Sequence, residues 1–111
     1  MKYHMRLILV GLVYFLSSAM SFANDTGYHK IDSIISWSNG ITQVWLEAGA
    51  EHQCTATSFK LRYFLDIADA EDYNRKLSMI MTAYTTEGTV NLRYVCNTDN
   101  YPEITVVRWK K

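Results

Sequence analysis

Apolar and polar residues alternate with period two in five short stretches of this chain, and one stretch of period 3.6 interrupts them. Successive strand side chains point to opposite faces, whereas a helix repeats every 3.6 residues. This pattern constrains the chain to a small antiparallel β framework carrying one helix. Lys30 to Trp37 sets Ile31, Ser33, Ile35 and Trp37 against Asp32, Ile34 and Ser36. Asn39-Gly40 follows, two residues that both tolerate positive φ, and Ile41 to Ala48 is the partner strand of a predicted hairpin. Phe59 to Ile67 alternates most strictly, with Phe59, Leu61, Tyr63, Leu65 and Ile67 on one face and Lys60, Arg62, Phe64 and Asp66 on the other. Thr89 to Cys96 and Glu103 to Trp109 supply the last two strands.

The helical stripe is Tyr73, Leu77, Ile80, Met81 and Tyr84. Asp69 is the expected N-cap, and Glu71 and Asp72 complement the macrodipole in the first turn. Together with Asp66 these carboxylates read as capping chemistry in preference to a cation site. Gly88 is expected to be the left-handed residue that ends the helix. The order β-β-β-α-β-β predicts a mostly β domain with one helix. Its expected architecture is an OB-fold-like five-stranded Greek-key barrel, the alternative being an α+β five-stranded sheet with one packed helix.

The chain begins with Lys2, His4 and Arg6, continues with an apolar run from Leu7 to Leu16, and reaches Ser21-Phe22-Ala23. Such a run is too short for a membrane span, and the small residues suit cleavage before Asn24. Residues 1–23 therefore read as a signal peptide and 24–111 as a single exported domain, periplasmic or secreted, with no membrane span in the mature chain. That domain holds nine Lys/Arg against eleven Asp/Glu, a net charge near −2, which argues against a nucleic-acid partner. Its two cysteines, Cys54 and Cys96, form an even pair in an oxidising space and predict a disulfide. Closing so long a loop stabilises by roughly 4 kcal/mol.

No catalytic motif is present: the chain lacks a nucleophile elbow, a phosphate-binding glycine loop and metal-ligand spacing. His29 and His52 have no ligand spacing with either cysteine. His52, beside Glu51 and Cys54, reads as part of a solvated loop. The chain is expected to be no enzyme and to need no cofactor or metal.

Met79 through Val107 runs as an apolar helix ending in Ala-Tyr-Thr-Thr-Glu, a strand ending in Cys96, a polar loop and the closing strand Ile-Thr-Val-Val. This stretch resembles the B subunits of bacterial AB5 toxins of the cholera and heat-labile enterotoxin type. It also resembles small secreted bacterial proteins of unassigned function. Cys54 follows the second strand, a placement nearer the pertussis- and subtilase-type subunits, and the N-terminal helix of the cholera type is absent. The resemblance implies a secreted, non-catalytic, glycan-binding module that assembles as a homo-oligomer. It also implies that the loop after Cys96, with Asn97, Asp99, Asn100 and Tyr101, holds a ligand.

Trp45 is the other candidate. It falls opposite Val44 and Leu46, and an outward indole can stack on a pyranose while amides and carboxylates bond the hydroxyls. The expected partners are thus a cell-surface glycan and further copies of the chain. The competing expectation is a periplasmic structural or interaction protein, or an inhibitor of a secreted enzyme, without a sugar ligand.

Overall fold

The computed structural model describes residues 24–111, and the leader expected over 1–23 lies outside them. The elements follow the order β1 (Asn24–Ser36), β2 (Thr42–Leu46), β3 (Arg62–Leu65), α1 (Ala70–Thr85), β4 (Thr89–Cys96) and β5 (Pro102–Lys110). The domain is mostly β with one helix, a mixed five-stranded sheet.

Strand β1 is longer than alternation alone indicates, because it serves two partners in turn. Its first half pairs antiparallel with β4, from Asn24↔Tyr94 to Lys30↔Thr89. Its second half pairs with β2, from Ile31↔Leu46 to Ser36↔Thr42. The register shifts between Asp25 and Tyr28, where Gly27 takes φ +75°, and again between Ile31 and Ser33. Such bulges bend a strand and raise its twist. At the first, the Thr26 hydroxyl accepts a hydrogen bond from the Leu92 amide at 3.0 Å, standing in for a ladder bond. Strand β2 continues antiparallel to β3, and β4 pairs with β5 along its whole length. The pairings therefore run β1-β2-β3-β5-β4 and return to β1. The β3–β5 seam is one parallel register pair, Phe64↔Glu103.

The hairpin forms at the expected dipeptide with a different turn. Only Gly40 has positive φ, at +88°. The Gly40 amide donates to the Trp37 carbonyl (3.0 Å), and the Trp37 amide donates to the Ile41 carbonyl (2.8 Å). Asn39 instead uses its side-chain oxygen to accept from the Ile41 amide at 3.2 Å. Strand β3 is shorter than expected because Phe59 and Lys60 are committed elsewhere: the Lys60 carbonyl accepts from the His52 amide at 2.8 Å.

The helix starts as expected, with the Asp69 carboxylate accepting from the Glu71 and Asp72 amides at 3.1 and 3.2 Å. It stops one residue early. Glu87, not Gly88, takes the left-handed conformation (φ 57°), and the Gly88 amide closes the end on the Ala83 carbonyl at 2.8 Å. Gly88 is needed for strand approach instead. A Cβ there would lie 2.7 Å from the Lys110 carbonyl oxygen, so β4 and β5 could not come together. Ile80 and Ala83 are fully buried, whereas Met81 and Tyr84 of the expected stripe are exposed.

The core is the inward face of the sheet capped by α1. Val44 and Leu46 of β2, Tyr63 and Leu65 of β3, Val90 and Leu92 of β4, and Ile104 of β5 pack there with Ile80. Tyr73 reaches in from the helix, its hydroxyl 2.6 Å from that of Thr42. Cys54 and Cys96 are joined by a disulfide across 42 residues. No described helix is long and apolar enough to cross a membrane.

Candidate functional site

Alternation on β2 and β3 turns Thr42, Val44, Leu46, Tyr63 and Leu65 inward, and it turns Gln43, Trp45, Arg62 and Phe64 outward. Register then fixes their neighbours: Gln43 lies opposite Phe64, Trp45 opposite Arg62, and Phe64 opposite Glu103 of β5. Gln43, Arg62 and Phe64 floor a groove of about 470 Å³. Ile41 from the β1–β2 loop, Asn97 and Tyr101 from the β4–β5 loop, and Asp66 and Ile67 after β3 line it as well.

Three groups give the groove its character. The Tyr101 ring meets Phe64 edge-on, with centroids 5.3 Å apart, making an aromatic corner. Gln43 is only 7% exposed, lines the groove and hydrogen-bonds to none of the described residues through its side chain. Its amide is not among the shielded atoms that lack a partner, so it keeps contact with solvent at the groove, where a ligand can reach it. Arg62 is the third: its guanidinium carbon lies 4.7 Å from the Phe59 centroid, 5.2 Å from Phe64 and 5.7 Å from Trp45. One guanidinium nitrogen donates to the Thr57 hydroxyl at 3.2 Å.

The expected site residues fall into separate roles. Asn97 and Tyr101 both line the groove. Asn97 also organises the loop: its side-chain oxygen accepts from the Asp99 and Tyr101 amides, both at 3.0 Å. Asn100, at φ 65°, is a strut between loops: its side-chain amide donates to the Thr55 hydroxyl and its carbonyl accepts from the Ala56 amide at 3.1 Å. Asp99 and Asn100 are not among the groove's lining residues. Trp45 is no open platform: it is half-buried, its ring meets Phe59 edge-on at 5.6 Å, and its indole nitrogen is shielded without a hydrogen-bond partner. Gln43, Arg62, Phe64 and Glu103 were not expected at a site. They come together only through strand pairing, although the aromatic and cationic residues on the nominally wet face of Phe59 to Ile67 were a signal.

His52 corrects a second expectation. It is 1% exposed and belongs to the core, not to a solvated loop. Its Nδ1 accepts from the Cys54 amide at 3.1 Å, and its Nε2 lies 3.0 Å from the Phe59 carbonyl, where it donates. Both bonds suit the neutral ring. Burial holds its pKa below the usual histidine value, opposed by the Phe59 carbonyl and reinforced by the charges of Lys60 and Arg62. Tyr63 and Tyr94 pack edge-on against it, and burial raises both phenols. Each hydroxyl pins the 49–58 loop: Tyr63 donates to the Ala50 carbonyl, and Tyr94 accepts from the Gln53 amide at 3.1 Å.

Among the described residues, no group of three His, Cys, Asp or Glu side chains is placed to hold a metal ion. No protein-family model, curated protein or solved structure matches the chain.

Proposed function

We propose that this chain is an exported, non-catalytic glycan-binding module with the architecture of an OB-fold barrel, and that the groove over β2 and β3 is its binding face. Returning strand pairing and a parallel β3–β5 contact support the barrel. OB-folds bind oligosaccharides and oligonucleotides across strands 2 and 3 between the β1–β2 and β4–β5 loops, where this groove lies. The observation that carries the glycan reading is the Gln43 amide, unpaired among the described residues and lining the groove beside the Phe64–Tyr101 corner. An amide that both donates and accepts suits sugar hydroxyls, and the rings suit the apolar face of a pyranose. Asp66 and Glu103 in the same groove disfavour a nucleic-acid backbone, as does the net negative charge of residues 24–111.

The test is a glycan array with the protein, Gln43→Ala and Tyr101→Ala. Binding by the parent that falls at least tenfold in both variants supports the site. Undiminished binding by both variants removes it. Export and ring assembly, as in the toxin B subunits that the sequence resembles, belong to the same proposal. Native mass spectrometry of secreted protein tests both: an N-terminus at Asn24 and a closed oligomer are expected, and a strict monomer removes the ring.

A second reading is favoured by Trp37, Ile41 and Ile67, large apolar side chains exposed at or beside the hairpin tip. In that reading the face docks a protein, as an interaction partner or inhibitor of a secreted enzyme would.

A further inference from the structure

We infer that residues 50–56 form an acid-released strap: protonation of His52 frees this segment from the sheet and, with it, a support of the β4–β5 loop. The inference does not depend on what the groove binds. Residues 50–56 belong to no strand. A short set of bonds holds them against β3 and β4. The Tyr63 hydroxyl donates to the Ala50 carbonyl, the His52 amide donates to the Lys60 carbonyl at 2.8 Å, and the Gln53 amide donates to the Tyr94 hydroxyl at 3.1 Å. The Lys60 ammonium donates to the Cys54 carbonyl, and the cystine joins Cys54 to Cys96. Segments tied by so few bonds open locally before the whole domain does.

The His52 ring sits at the centre of this set, and its hydrogen bonds require the neutral form. Nδ1 accepts from the Cys54 amide at 3.1 Å while Nε2 donates to the Phe59 carbonyl at 3.0 Å. Protonation makes both nitrogens donors. The Phe59 bond survives, but Nδ1–H then confronts the Cys54 N–H, and a buried amide loses its acceptor. The groups around the ring offer the new charge no anion. Lys60 and Arg62 are cations, and Tyr63 and Tyr94 are phenols that burial keeps neutral. Glu51 is exposed and its carboxylate accepts from the Gly49 amide at 3.1 Å. No described carboxylate lies within 4.0 Å of His52, since the ion pairs are His29–Glu47, Lys76–Asp72 and Arg93–Asp25.

An unpaired buried cation is relieved by moving it into water. The ring belongs to the strap itself, so the strap moves with it and the cystine remains as a hinge. The β4–β5 loop feels this directly. The Ala56 amide donates to the Asn100 carbonyl at 3.1 Å, and the Asn100 side chain donates to the Thr55 hydroxyl. Releasing the strap removes both supports from the loop that brings Asn97 and Tyr101 to the groove. Proton-linked opening of this kind grows by at most about tenfold for each pH unit below about 6.5, the unfolded histidine value.

The experiment is amide hydrogen exchange of the disulfide-bonded protein, read residue by residue by NMR at about pH 6.5 and about pH 4.5, where a buried histidine charges. Protection factors, corrected for intrinsic exchange, should fall by at least about tenfold at His52, Gln53, Cys54 and Ala56, while those of Val44 and Val90 hold. His52→Gln keeps a neutral donor and acceptor at this position and should abolish the fall. His29→Gln, which removes the other described histidine, and Glu51→Gln should leave it in place. An equal fall in the strap and the core strands overturns the inference, because acid then acts on the whole domain. No fall at all, a fall that persists in His52→Gln, or one that vanishes in His29→Gln or Glu51→Gln overturns it too. The parent comparison of strap with core needs no variant, so it decides the matter even if His52→Gln does not fold.

Discussion

The two faces of β2 and β3 are built from the same nine residues, and they handle polar groups in opposite ways. Inward, the hydroxyls of Thr42 and Tyr63 have partners: Thr42 meets Tyr73, and Tyr63 meets Ala50. Outward, Gln43 has no side-chain partner among the described residues, and shielded donors of Trp45 and Arg62 have none. The inner face is closed on itself and holds the fold together. The outer face leaves bonding capacity unmet, in shielded donors of Trp45 and Arg62 and in the groove-lining Gln43 amide.

This contrast can be attacked from several sides. The largest effect comes from the staple that serves both faces. Replacing Cys54 and Cys96 by serine should lower stability by about 4 kcal/mol, read from the urea midpoint. It should also weaken groove binding, because the loop carrying Asn97 and Tyr101 loses its tether. Next is Tyr63→Phe. It strands the buried Ala50 carbonyl and should cost about 1–3 kcal/mol, whereas Gln43→Ala on the opposite face should stay within about 0.5 kcal/mol. Equal costs in denaturant melts would erase the distinction between the faces.

The smallest effect is set by pH. His52 titrates below its unfolded value of about 6.5, so between the two values the unfolded chain binds the extra proton. Its contribution is complete above pH of about 6.5 and is lost as pH falls through the folded value, with a slope of at most about 1.4 kcal/mol per pH unit. A stability profile from about pH 4 to about pH 8, which spans the histidine range, should flatten in His52→Gln. An unchanged profile would mean that the ring is not held neutral.

What was legible in the sequence was local chemistry. The Asn39-Gly40 turn, the Asp69 cap, the strand ending in Cys96 and the disulfide pair each depend on a few neighbouring residues or on a simple count. The errors arose where distant segments decide. Residues 24–29 became strand because β4 was there to pair with them, and Gly88 was needed for Lys110, not for its own φ. His52 sits in polar sequence, yet Tyr63 and Tyr94 enclose it. The site was half-visible for the same reason. Asn97 and Tyr101 belong to one loop, but their neighbours Gln43, Phe64 and Glu103 join them only across β2, β3 and β5.

The cystine ties the 49–58 segment to the end of β4, one residue before Asn97, and Asn100 grips Thr55 alongside it. Oxidation state and the placing of the β4–β5 loop are thereby wired in series. A reduced copy has lost the covalent fastening beside Asn97 and Tyr101 and keeps only the Asn100–Thr55 clasp, so the crosslink acts as a latch on one wall of the groove as well as a brace for the fold.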